Sequence, residues 1–160
     1  MFEAIVFIYA VFYLILTRLR PDWALYIIIF ALPSYLIRFS VAGIPFTILE
    51  LMILLSFASW IFDVLAAYKF NLKHYWRERK TRMLYPFRLE IALWLIVAYL
   101  AAFIAGFDAS ALGIFKAYFF EPVLFFILVI NILGKDKEAT KKIIFSLATA
   151  AILASLLAIY

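Results

Sequence analysis

The 160-residue chain is 69% hydrophobic and 20% aromatic with only 16% charged residues. Its mean hydropathy is +1.10, whereas soluble domains are roughly 45 to 50% apolar and about 25% charged. This balance excludes a water-soluble fold and defines an integral membrane protein without room for a separate soluble domain. Fifteen Lys and Arg against ten Asp and Glu leave a net charge of +5, and the absence of cysteine excludes disulfide frameworks and thiolate metal sites.

A membrane-crossing helix takes roughly 20 apolar residues, so a chain of this length holds about six. Charges and prolines divide it accordingly, at 3–17, 22–38, 46–67, 89–106, 110–133 and 141–160. The first span contains "AIVFIYAVFYLIL", an apolar run like a signal-peptide core. No positive residue precedes it and no small-residue cleavage site follows, so it reads as a retained helix. The second ends at Arg38. In the third, Pro45 suits the first helical turn after Gly43, and Glu50 falls five residues further in, about 7.5 Å below the helix start at 1.5 Å per residue.

A long basic connection follows, "YKFNLKHYWRERKTRMLYPFRLE", where Lys and Arg alternate with aromatic rings as in a membrane headgroup layer. It contains His74, the single histidine, as an interfacial polar residue. The cations carry no recognisable nucleic-acid-binding module, and no nucleic-acid partner is expected. The fourth span, "IALWLIVAYLAAFIAG", is apolar on every face, which fits a lipid-embedded helix and not an alternating barrel strand. Asp108 and Ser110 are good N-cap residues for the fifth, which runs to Leu133 with Gly134 as its stop. The sixth ends at Tyr160 without a flanking loop, which reads as the amino-terminal part of something larger. The expected fold is therefore all-α, a polytopic transmembrane bundle of about six spans in a single membrane domain.

The cations give the orientation, because short positively charged loops stay in the cytoplasm. Arg18 and Arg20, seven residues between Lys69 and Arg88, and Lys135, Lys137, Lys141 and Lys142 follow the odd-numbered spans; only Arg38 and Lys116 fall on the opposite side. The amino terminus and the connections near 38–45 and 107–110 are then outside.

The fifth span holds the chemistry least at home in lipid, "ALGIFKAYFFEPVLFF" at 111–126. Pro122 in a helix interior removes a backbone donor and strands the carbonyl of Tyr118, so a kink is expected about 18 Å from the helix start. Such a break faces the bundle interior, where other groups satisfy the carbonyl. Lys116 lies about 9 Å in and can snorkel outward. Glu121 lies deeper and needs a partner or neutrality. Five residues apart, the two are poor mutual partners on one straight α-helix. Arg38, Glu50, Lys116 and Glu121 either form snorkelling and structural ion pairs, or line an outer polar cavity where Arg and Lys meet a phosphate.

Two separated segments, "LIRFSVAGIPFTILELMILL" at 36–55 and "ALGIFKAYFFEPVLFF", resemble the amino-terminal half of the O-antigen ligase family of bacterial membrane glycosyltransferases. The family pattern of an Arg before a Gly-x-Pro turn and a Glu early in the next helix falls on Arg38, Gly43, Pro45 and Glu50. Its Leu-Gly-x-x-Lys-Ala-Tyr and Glu-Pro elements fall on Leu112, Gly113, Lys116, Ala117, Tyr118, Glu121 and Pro122. The likeness covers residues 33–133. It implies a bacterial inner-membrane protein that transfers a glycan from undecaprenyl pyrophosphate to an acceptor in surface polysaccharide assembly, such as lipopolysaccharide, without metal, nucleotide or other cofactor.

On that reading Arg38 and Lys116 contact the phosphate or a sugar, and Glu50 and Glu121 orient them. Gly43, Pro45, Gly113, Tyr118 and Pro122 then shape the cavity. The family's chains are longer, are usually drawn with the amino terminus inside, and keep their principal catalytic His and Arg in a large extracytoplasmic loop of the second half. This chain carries no such loop, so no catalytic residue is assigned and transfer requires a second half or a subunit. The alternatives are a noncatalytic membrane bundle that assembles with a partner, and a small transporter module with helix breaks at Gly43–Pro45 and Pro122.

Overall fold

The computed structural model describes residues 2–41, 44–67, 86–134 and 136–159. Gly43, Lys135 and most of the basic connection, His74 included, lie outside them. Among the described residues the fold is all-α apart from one small hairpin. In chain order it comprises α1 (Phe2–Leu19), α2 (Pro21–Phe30), a 3-10 turn (Leu32–Leu36), β1 (Arg38–Val41), β2 (Ile44–Thr47), α3 (Ile48–Ala67), α4 (Arg88–Ile104), α5 (Ala109–Leu133) and α6 (Ala139–Ile159). Three stretches are long and apolar enough to cross a membrane: Ile48–Ala67, Ala109–Leu133 and Ala139–Leu156.

The helix in the second expected span is shorter than the 22–38 range. Pro21 starts α2 and fixes its first turn, but the helix stops at Phe30 after 10 residues, about 15 Å at the standard rise. Pro33 lacks a donor for the α ladder, and the chain tightens into a 3-10 turn with Ser34 N–H donating to the Ala31 carbonyl at 2.8 Å. It then enters an antiparallel hairpin in which Arg38 pairs with Thr47, Phe39 with Phe46, Ser40 with Pro45 and Val41 with Ile44. Pro45 is thus a strand residue and not part of a first helical turn, and α3 begins at Ile48. The Phe39 and Phe46 rings stack across the hairpin with centroids 6.3 Å apart, adding a cross-strand contact to a short ladder.

The chain forms two compact units, Met1–Trp60 with Phe125–Tyr160, and Ile61–Leu124. In the first, α2 is the central element: Leu25 and Ile28 are almost wholly buried, as are Met52, Leu128 and Leu133. One polar node ties three helices together. The Tyr13 hydroxyl donates to the Ala24 carbonyl at 3.0 Å. Its single proton is then used, so the Ser56 hydroxyl, also 3.0 Å away, donates to it. Such a node is fully compensated in an apolar surrounding, where an unpaired hydroxyl is costly.

In the second unit α4 and α5 meet along an aromatic seam, with Trp94 against Phe119 at 5.2 Å and Tyr99 against Phe115 at 6.2 Å. The α4 helix ends in a left-handed turn. Gly106 has φ +78°, and the Phe107 N–H reaches back to the Ala102 carbonyl at 3.0 Å. Phe107 itself has φ +52°, held by ring contacts to Tyr99 and Phe103. Of α4 only Ala98 and Ala102 are buried, while Leu93, Val97, Phe103 and Ile104 are more than 60% exposed. An apolar face of that extent belongs in lipid or against protein, which agrees with the composition in marking a membrane protein.

Candidate functional site

The two segments that carry the candidate residues fold in different ways. In the first unit, Arg38 opens β1 and Pro45 lies in β2. Glu50 is only two residues beyond the start of α3, about 3 Å along the axis, and it is 5% exposed. Its carboxylate accepts the Thr47 N–H at 2.6 Å, and the Thr47 hydroxyl accepts the Glu50 N–H at 3.1 Å. This is a reciprocal capping box, with Thr47 as N-cap and Glu50 three residues on. The carboxylate also favours the positive end of the helix dipole. Thr47 is a residue that the sequence reading missed, although its signature, "TILE" before an apolar run, is written in the chain.

In the second unit α5 starts where its cap residues direct. Asp108 is extended, and its carboxylate accepts the Ala111 N–H at 2.6 Å. The helix passes through Gly113, where an added methyl group would meet nothing within 4 Å. At Lys116 its register changes. Residues Lys116–Phe120 form a π-helical turn, closed by the Glu121 N–H donating to the Lys116 carbonyl. Pro122 explains the change. In an α register the Tyr118 carbonyl would look to residue 122, which has no N–H; a π register directs it to Val123, which has one. The broken ladder expected at Pro122 is accompanied by a π turn immediately before it.

That turn also revises the spacing argument. Residues five apart diverge on an α-helix, but a π turn sets residue 121 above residue 116. Lys116 and Glu121 thus come to one face of one turn. Lys116 is half-buried and Glu121 is 6% exposed, and each engages another group by a polar or electrostatic contact. Tyr118, within the turn, is exposed at 69%. A second π turn, Val129–Leu133, accompanies Asn131, whose side-chain amide donates to the Ile127 carbonyl at 2.6 Å and competes with the backbone ladder. Among the described residues no group of three or more His, Asp or Glu side chains comes together. The chain matches no family model, no curated protein and no solved structure.

Proposed function

We propose that the chain is the amino-terminal membrane portion of an O-antigen ligase-like glycosyltransferase, a multi-pass protein of the bacterial inner membrane. In this reading it forms one wall of a site for undecaprenyl-pyrophosphate-linked glycan. The six-span topology, the lipid-linked donor and the missing catalytic half all belong to this proposal. The observation that carries it is the π turn of α5, which brings Lys116 and a buried Glu121 to one face of an otherwise uncharged helix. Ionisable side chains within a membrane helix are costly to keep, and they mark substrate paths by default. Lys116 supplies a cation for the departing pyrophosphate and Glu121 holds its orientation; within the first unit, Arg38 and Glu50 are proposed for the same two roles. Stabilising the charge that develops on the leaving group is the work such cations do.

The test is Lys116→Ala in the assembled enzyme that contains this chain, with glycan transfer measured beside the amount of protein in the membrane. A charged hydrogen bond contributes about 1.5 to 3 kcal/mol, so transfer falls by about ten- to a hundredfold at unchanged protein level. Wild-type transfer by this variant removes the phosphate role and leaves the noncatalytic subunit as the better reading.

A further inference from the structure

A groove in the first unit, far in sequence from Lys116 and Glu121, has the composition of a different site. It encloses about 650 Å³ and lies between α2 and α6, within the range typical of small-molecule sites. Its cations come from the amino-terminal ends of the two helices: Arg20 beside α2, and Lys141 and Lys142 on α6. Trp23, Phe30 and Phe145 supply aromatic surface further along. A cluster of cations leading into an apolar cleft fits an amphiphile with an anionic head. We propose that this groove binds an anionic phospholipid of the cytoplasmic leaflet, its phosphate among the three cations and its acyl chain along Phe30 and Phe145.

Charge complementarity selects that occupant. Two acids temper the cluster: Asp22 lies 3.4 Å from the Arg20 guanidinium, and Asp136 lies 2.7 Å from the Lys142 ammonium. Lys141 is exposed and makes no hydrogen bond or ion pair among the described residues, and the Arg20 contact is too long to be strong. An arriving phosphate thus meets one available ammonium and one loosely held guanidinium. Tyr26 buttresses the third, its hydroxyl donating to Asp136 at 3.3 Å and its ring 5.9 Å from the Lys142 ammonium. Arg20, Lys141 and Lys142 all follow odd-numbered spans, on the side that the positive-inside bias assigns to the cytoplasm, where the leaflet is anionic. Trp23, 54% exposed, suits the interface.

Trp23 also provides the readout. The full chain and its Trp23→Phe variant are reconstituted in phosphatidylcholine vesicles containing a minor fraction of lipid with brominated acyl chains, either phosphatidylglycerol or phosphatidylcholine. The difference between the two proteins isolates quenching at Trp23. Brominated phosphatidylglycerol is expected to half-saturate quenching at a concentration about fivefold or more below brominated phosphatidylcholine. Lys141→Gln removes about fivefold of that preference, the factor expected for one cation near an anionic surface. Lys137→Gln, the same charge change on an exposed residue outside the groove, leaves it in place. Equal quenching by the two lipids overturns the proposal. Equal loss in the two Lys variants overturns it in favour of general surface attraction. Relief of the quenching by inorganic phosphate overturns it in favour of a soluble anion.

Discussion

The capping box at the start of α3 offers a quantitative test of what Glu50 does. Replacing Thr47 with Ala removes the acceptor that holds the Glu50 N–H at 3.1 Å, and losing such a cap costs about 1 kcal/mol. Replacing Glu50 with Ala removes the charged acceptor at 2.6 Å, worth about 1.5 to 3 kcal/mol. At 5% exposure, water has little access to replace that acceptor. Glu50→Gln keeps an acceptor oxygen in the box, and because neutral hydrogen bonds are roughly half as strong as charged ones, its cost is about half that of Glu50→Ala. For a chain of this size about 1 kcal/mol corresponds to about 2 to 4 °C in Tm.

Thermal unfolding followed by helical circular dichroism in detergent micelles should therefore place Thr47→Ala and Glu50→Gln within a few degrees below wild type, and Glu50→Ala lowest. The double variant falls short of the summed losses, because the two bonds close the same helix end. An unchanged Tm for Thr47→Ala refutes the box, and a Glu50→Gln as damaging as Glu50→Ala refutes the capping account of the carboxylate. Transfer assays on the same variants in the assembled enzyme separate the two roles. A cap residue loses activity only with stability, whereas an orienting residue loses it at unchanged Tm.

Three further outcomes follow from the geometry. A methyl group at Gly134 would fall on the Ile130 carbonyl oxygen, so Gly134→Ala should cost about 1 to 3 kcal/mol by overpacking. Gly113→Ala meets nothing and should be neutral or stabilising by up to about 1 kcal/mol through helix propensity, as unfolding midpoints will report. The Lys142 hydrogen bond, followed by the Glu138 N–H, holds the Asp136 carboxyl below the ordinary aspartate range. A lowered carboxylate stabilises the fold above its unfolded value, about pH 3.9, and that contribution disappears as pH falls through its folded value. Asp136→Asn should flatten this acid limb of the stability profile. Finally, the chain has no cysteine, so Ser110→Cys or Lys137→Cys introduces a single thiol. An impermeant maleimide on intact cells should label the first and not the second, and the reverse pattern inverts the proposed orientation.

What the sequence alone determined is local. The helix-dominated architecture follows from long apolar runs, whose backbone N–H and C=O groups a helix pairs within the segment itself. The start of α5 follows from Asp108, because a cap acts over three or four residues that the chain itself supplies; the helix does end before Gly134, but that glycine has φ −61° and is not the left-handed stop its type suggests. Thr47–Glu50 belongs to the same class, a legible signal passed over because Pro45 also suits a helical first turn. The ends of α2 and the hairpin were not legible. "LIRFSVAGIPFT" contains Ile, Phe and Val, which fit a strand and a lipid-facing helix equally well, and periodicity cannot choose between them.

Tertiary structure decided the rest. The α2 helix is apolar all round, so its sequence does not say which side is buried; Tyr13 from α1 and Asp136 before α6 locate it through hydrogen bonds to Ala24 and Tyr26. Arg20 and Lys142 are separated by most of the chain, yet they line one groove. The π turn at Lys116–Phe120 lies between these cases. Pro122 announces a broken ladder, but whether the helix kinks or widens depends on how the surrounding packing accommodates the displaced turn. An apolar side chain records that it avoids water and carries no label for the neighbour it will meet, so partners distant in sequence emerge only when the helices pack.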